Sequence, residues 1–240
     1  SIRRQRQMCI RDRYLLVLVG LTFYTWFTLH YQPPISSIPA LTRSTVANSS
    51  DIFVKNQLKY TETLTGERQE PINTLFLAKD DRHLIEAMNQ AGWIKTDKAD
   101  ISSFVRGLVA LVNHTPHPTA PISPSFWNAR IQDLSFTRME GENWLSNARH
   151  VKIWRTSFTL PDGKRLYIGQ VNRNNGFTWG IIPRIAPDLD TERKRLKQDL
   201  SDNGVLLKAS EIQLVSPLIG KNFLGDQFFS DGKAFIFSLR

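Results

Sequence analysis

Pro161-Asp162-Gly163-Lys164 stands between two runs of alternating apolar residues, Val151 and Ile153 before it, Leu166 and Ile168 after it. Pro fixes one φ, Asp bonds the local backbone and Gly accepts a positive φ, so this tetrapeptide favours a tight turn. Period-two alternation sends successive side chains to opposite faces of a strand. His150–Thr159 and Lys164–Asn172 are therefore expected to form an antiparallel hairpin. A lone hairpin is marginal in water, so the chain must build a sheet around it.

The neighbouring segments supply candidates for that sheet and its cover. Ile72 to Leu77 reads as a short buried strand, and Ile131 to Arg138 as a strand of near-alternating Ile, Leu and Phe. Ile212 to Leu218 and Ala234 to Leu239 read as two more. Asp80-Asp81 can cap a helix that turns Leu84, Ile85, Met88 and Ala91 inward and stops at Gly92. A second helix is expected over Ile101 to Val112. A third opens at Asp188-Leu189-Asp190-Thr191-Glu192, turns Leu196 and Leu200 inward and ends at Gly204. Asn172 to Gly180, rich in Asn and Gly, is expected to be a loop. The fold class that follows is α+β, a mainly antiparallel mixed sheet with two or three packed helices.

Tyr14 to Leu29 is an uncharged apolar run of sixteen residues, with Tyr24, Trp26 and Tyr31 toward its far end and Pro33-Pro34 beyond. It is slightly short of the ~20 residues that span a bilayer as a helix. Residues 14–30 are expected to be one transmembrane helix, in contact with membrane lipid through Tyr14–Leu29. No small-residue cleavage site follows, which argues against a removed signal peptide. From His30 to Thr42 there is no Lys or Arg. A flank poor in positive charge faces away from the cytoplasm. The expected location is the inner (cytoplasmic) membrane, single-pass, with the C-terminal domain extracytoplasmic. Residues 31–70, with Pro33, Pro34, Pro39 and many Ser, Thr and Asn, read as a linker with one short ordered stretch near Ile52 to Tyr60. Residues 71–240 read as the globular domain.

Composition matters here mainly through residues 1–13, SIRRQRQMCIRDR. Met8-Cys9-Ile10-Arg11-Asp12 matches the translation of a transposon-end adapter used to prepare sequencing libraries. The segment is expected to be an adapter-derived scar outside the fold; a native basic flank of the helix is the alternative. The whole chain carries a formal charge of +9, and setting this segment aside leaves +5. A nucleic-acid partner is therefore not expected. The sole Cys goes with the segment, and disulfide or thiol chemistry with it.

Arg149-His150-Val151-Lys152-Ile153-Trp154, Leu166-Tyr167-Ile168-Gly169 and Ile185-Ala186-Pro187-Asp188-Leu189-Asp190-Thr191-Glu192-Arg193 together resemble the C-terminal domain of LssY-type membrane proteins. Pro71-Ile72-Asn73 to Gly92-Trp93 fits the same pattern, so the resemblance spans about residues 71 to 218. It implies a bacterial envelope protein whose domain follows either a lipid-phosphatase-like membrane region or a short anchor. Three positions depart from the family pattern. Val151 stands where relatives often have a second His, Pro183 and Arg184 stand near another His position, and Asn174 or Asn175 replaces an acidic residue. A His/Asp constellation used by relatives would be depleted in this chain.

The candidate site residues are Arg149, His150, Asp188, Asp190 and Arg193. His150, Lys152 and Trp154 share one strand face. If that face met the helix start, His150 would sit beside Asp188 and Asp190, and Arg149 and Arg193 could hold a phosphate or carboxylate. That describes a hydrolase or phosphate-ester-binding enzyme. In the second reading Asp188 and Asp190 cap the helix, the arginines pin it to the sheet and Trp154 is core. The leading expectation is a non-enzymatic envelope protein that binds an undetermined partner, such as another envelope protein, or a ligand. No cofactor motif is present. His114 and His117 lack a third ligand, so no metal site is expected.

Overall fold

The computed structural model describes residues 15, 17–27, 29–30, 44–54, 56–97, 119, 121–140, 148–178 and 182–240. The expected helix over 101–112 and the His114 and His117 pair lie outside them. In chain order the strands are β1 (Ser44–Thr45), β2 (Tyr60–Glu62), β3 (Arg68–Pro71) and β4 (Thr74–Ala78). Helix α1 (Asp81–Gln90) follows, then β5 (Ile94–Lys95), β6 (Phe126–Trp127), β7 (Arg130–Ile131), β8 (Leu134–Arg138), β9 (Arg149–Thr159), β10 (Arg165–Thr178) and β11 (Ile182–Ile185). Helix α2 (Leu189–Asp202) and strands β12 (Leu206–Gln213), β13 (Leu218–Lys221), β14 (Gln227–Ser230) and β15 (Lys233–Leu239) complete the order.

The β9–β10 hairpin sits in the middle of a nine-stranded sheet of order β12-β15-β4-β10-β9-β8-β5, with β1 on β9 and β11 on β10. Its turn closes through the Leu160 N–H to the Lys164 carbonyl (2.8 Å) and the Gly163 N–H to the Leu160 carbonyl (2.9 Å). Gly163 has φ +81, and Asp162 Oδ1 accepts from the Lys164 N–H. Among the described residues every pairing in this sheet is antiparallel except β4 with β15 and β1 with β9. The fold is therefore α+β with mainly antiparallel pairing.

Both helices lie on one face of the sheet. Asp80 caps α1 by accepting from the His83 N–H at 2.8 Å, and Gly92, at φ +80, ends it. Leu84, Ala87 and Met88 of α1 join Leu196 and Leu200 of α2 in a core with Phe76, Phe136, Val151, Ile153, Tyr167, Val171 and Phe237. The opposite face carries a second core. There Leu75, Trp154, Leu166, Ile168 and Ile236 meet Ile52, Phe53, Ile72 and Trp127. The ordered stretch expected near Ile52 to Tyr60 thus supplies Ile52 and Phe53 to this core, and strands at Ser44–Thr45, Tyr60–Glu62 and Arg68–Pro71 extend order beyond it into residues read as linker. Thr61 is fully buried, and its hydroxyl donates to the Glu70 carbonyl at 3.0 Å. The apolar face of β9 and β10 turned away from the helices needs a cover, and this stretch with Trp127 supplies it.

Three further expectations change. Asn172 to Thr178 continues β10 rather than looping, because β11 pairs with it across a bulge at Gly176 (φ +83). The strand expected over Ile212 to Leu218 lies earlier, in β12, and Leu218 opens β13. Residues 15, 17–27 and 29–30 are helical, but among the described residues no helix is long and apolar enough to cross a membrane. The expected transmembrane span is therefore not supported by the fold.

Gly169 marks the tightest approach in the central sheet. A Cβ there would lie 2.5 Å from Thr74 Oγ1 and 2.7 Å from the Phe76 ring, both fully buried on β4. Gly169→Ala is expected to destabilise the domain by about 1–3 kcal/mol, as overpacked cores do. Urea denaturation should show a lower midpoint with an unchanged slope.

Candidate functional site

The alternation of β9 decides where the candidate residues go. Arg149, Val151 and Ile153 turn toward the helices; His150, Lys152 and Trp154 turn away. Arg149 is 1% exposed and lies against Trp93, its guanidinium carbon 5.1 Å from the ring centre. It pairs with Glu192 (3.0 Å), Asp199 (2.9 Å) and Glu140 (3.1 Å). Glu192 also meets Arg173 at 3.4 Å and Arg195 at 3.5 Å, and Asp199 meets Arg138 at 3.0 Å. Burial raises the Asp199 carboxyl pKa, against the pull of Arg149 and Arg138.

The other helix-side candidates form a second ionic cluster. Asp188 is the N-cap of α2. Its Oδ1 accepts from the N–H groups of Asp190 and Thr191, and its Oδ2 from the Thr191 hydroxyl at 2.6 Å. Burial pulls its pKa up, and these donors more than offset that, leaving it lowered. Arg193 is fully buried, pairs in bidentate fashion with Asp231 (2.9 and 2.8 Å), lies 3.4 Å from Asp190 and donates to the Lys233 carbonyl. Asp190 also accepts from the Ser230 hydroxyl and the Asp231 N–H. Burial raises the Asp231 pKa, but Arg193 and the Lys233 amide hold it down to about 2. These groups are engaged with one another, and the arrangement pins α2 to the sheet and to β14.

His150 does not join them. Its Nδ1 lies 2.9 Å from Thr137 Oγ1, on the face opposite α2. The sheet therefore keeps His150 away from Asp188 and Asp190, and the juxtaposition that a His–Asp hydrolase needs is not formed.

The sheet builds a different polar site around His150. Register places Ser135, Lys152 and Gln170 in one row across β8, β9 and β10, and Thr137, His150 and Asn172 in the next. The row beyond contains Trp154 and Ile168, where the apolar core begins. Gln170 and Asn172 are buried, while His150 and Lys152 are half-buried. Gln170 Nε2 donates to Glu70 Oε2 at 3.2 Å, and its Oε1 accepts from none of the described residues. Ser135 Oγ lies 2.7 Å from Thr96 Oγ1. No described carboxylate pairs with the Lys152 ammonium; burial lowers its pKa, and Glu70 pulls the other way. Sequence alternation put His150 and Lys152 on one face. It gave no signal for Gln170, Asn172, Ser135 and Thr137, which join them only through strand register.

A family model described as LssY C-terminus matches residues 54–234. The chain belongs to the LssY C-terminal family. No curated protein and no solved structure matches it. The matched residues start within the stretch that covers the second core, and they include both ionic clusters of α2 and the whole of the polar floor.

Two measurements probe these assignments. Asp188→Ala is expected to cost about 1 kcal/mol, the usual value of a helix cap, read from thermal or urea unfolding. His150 gives a pH signature. Burial first, and the Lys152 ammonium second, push its pKa from 6.5 down to about 3. The unfolded chain takes up a proton that the folded chain refuses, so stability falls as pH drops from 6.5 toward 3. The His150 contribution to that slope is at most about 1.4 kcal/mol per pH unit. His150→Gln should remove it when urea midpoints near neutral pH and about pH 5 are compared.

Proposed function

We propose that this LssY-type protein is a membrane-anchored binding protein of the bacterial envelope, and that its domain takes a small anion on the polar floor of Lys152, His150 and Gln170. The observation that carries the reading is Lys152, a half-buried cation with no described carboxylate paired to it. Such a group costs stability unless something compensates it. Neutral His150, Ser135 and Thr137 stand beside it in the sheet register and add no negative charge; Glu70 acts on Lys152 without forming an ion pair and is itself bonded to Gln170. Gln170 Oε1 is buried and accepts from none of the described residues; an anion that reached it through a rotation of the Gln170 side chain would have to carry an O–H group, as a protonated phosphate or a hydroxy acid does. No His–Asp pair is called on, and the reading is one of binding rather than hydrolysis.

The anchor is the apolar segment whose residues 15, 17–27 and 29–30 are helical. Leu15, Leu18, Phe23 and Trp26 are each more than half exposed. Its polar groups turn back on the helix itself. The Thr22 hydroxyl donates to the Leu18 carbonyl and that of Thr25 to the Leu21 carbonyl, both at 2.7 Å, and His30 Nδ1 lies 2.9 Å from the Trp26 carbonyl. Internal satisfaction of this kind suits a segment in hydrocarbon, where no water is available. In this reading the protein sits in the inner membrane with the domain extracytoplasmic.

Calorimetry of the full chain in detergent tests the ligand. Inorganic phosphate is expected to bind and sulfate, which lacks an O–H at neutral pH, to bind about tenfold more weakly, since one unmet buried acceptor costs 1–3 kcal/mol. Affinity should fall as pH rises, because an anion needs Lys152 charged. Lys152→Met should abolish binding and leave the domain about as stable, since it removes a buried charge that has no ion-pair partner among the described residues and is offset only through Glu70. A large loss of stability in that variant would make Lys152 structural and end the proposal.

A further inference from the structure

The β13–β14 hairpin leaves four large apolar side chains in water. Ile219 and Phe229 face each other across the ladder and are 84% and 43% exposed; Phe223 and Leu224, at the turn, are 73% and 50% exposed. The inward positions are filled differently. Phe228 is 3% exposed and packs over Gly220, where a Cβ would lie 2.6 Å from its ring. Period-two alternation thus turns Phe228 and Ser230 inward, and turns the Ile219–Phe229 and Lys221–Gln227 pairs outward. The polar Lys221–Gln227 pair stands between Ile219–Phe229 and the turn, and the adjacent Phe223 and Leu224 at the tip are the exposed apolar group that marks an interaction site.

The turn holds its apolar tip rigidly outward. Asn222 Oδ1 accepts from the N–H groups of Leu224 (3.0 Å) and Asp226 (2.9 Å). The Asn222 N–H reaches the Asp226 carbonyl at 3.0 Å, and the Gly225 N–H reaches the Asn222 carbonyl at 2.9 Å. The Phe223 N–H donates to Gln69 Oε1 at 2.6 Å, which ties the tip to β3. The backbone N–H groups of residues 222–226 are therefore bonded within the protein, and the tip can leave water without stranding them.

Charge selects the partner. Between Leu218 and Ser230 the only charged side chains are Lys221 and Asp226. Asp226 is 4% exposed and is neutralised by Arg184 at 2.9 Å, with the Ile185 N–H on its second oxygen at 3.1 Å. Lys221 is exposed and is left as the hairpin's free charge. A convex, apolar tip beside a lone cation needs no matching pocket, and it complements the anionic interface of a bilayer. We infer that the β13–β14 hairpin is a membrane-docking element: Phe223 and Leu224 insert at the headgroup boundary and Lys221 meets lipid phosphates. This second contact would fix the orientation of the domain over the membrane. It is separate from the Lys152 floor, and it shares with the proposed function only the presence of a membrane.

The test uses the full chain in vesicles of phosphatidylethanolamine and phosphatidylglycerol. Cys9→Ser removes the only thiol of the chain, and Leu224→Cys then carries an environment-sensitive fluorophore. Ser201→Cys, exposed at the end of α2, is the control. The label at 224 should shift to the blue and be quenched by lipid-borne quenchers about 5–10 Å below the surface, the depth of interfacial side chains. The label at 201 should stay in water. Phe223→Ser added to the labelled chain should reduce both signals, with circular dichroism reporting that the fold is kept. Vesicle flotation reports the apolar helix independently. A chain that floats while label 224 stays in water overturns the docking inference and leaves the anchor standing; a chain that does not float overturns both. Disulfide cross-linking between labelling sites of two chains in detergent would assign the tip to a second copy, and would likewise overturn it.

Discussion

The alternation of side chains along β9 and β10 organises the whole molecule. Each residue of these strands commits to one face, and the cross-strand register commits its partners with it. Arg149, Val151 and Ile153 therefore serve the helices, and His150, Lys152 and Trp154 serve the other side. Two cores and two kinds of polar chemistry follow from that one partition.

The two faces treat buried charge in opposite ways. On the helix side Arg149 and Arg193 are almost completely buried, and each meets several carboxylate oxygens. Buried ion pairs of this kind add little net stability over apolar packing, and breaking one is costly. Their effect is to fix where α2 sits, because any other docking would strand a guanidinium. On the far side Lys152 has no such carboxylate set. The helix-side face is thus held by ion pairs, and the far face carries a buried cation without one among the described residues.

Local features of the fold were legible in the sequence, because their causes lie within a few residues. The Pro161-Asp162-Gly163 turn, the Asp80 and Asp188 caps and the Gly92 and Gly204 stops all act this way. Features that depend on distant partners were not. Asn174 looks like a loop residue, yet β11 pairs with it. Arg68 to Pro71 look like the end of a tether, yet they form β3 and pair with β2. The site shows the same division. Placing His150 and Lys152 on one face needs only counting by twos. Deciding that α2 docks on the other face requires the tertiary contacts of Arg149 and Leu196, which no short pattern encodes.

The hairpin at the centre has a consequence for where the family can vary in length. β10 bonds β4, β9 and β11 along one continuous strand of fourteen residues. One residue gained or lost between positions 165 and 169 would turn the remainder of the strand over, sending Gln170 and Asn172 toward the helices and Val171 toward the polar floor. Insertions, deletions and new chain termini in relatives should accordingly collect at the reversals around Gly163 and Gly225, outside the paired segments.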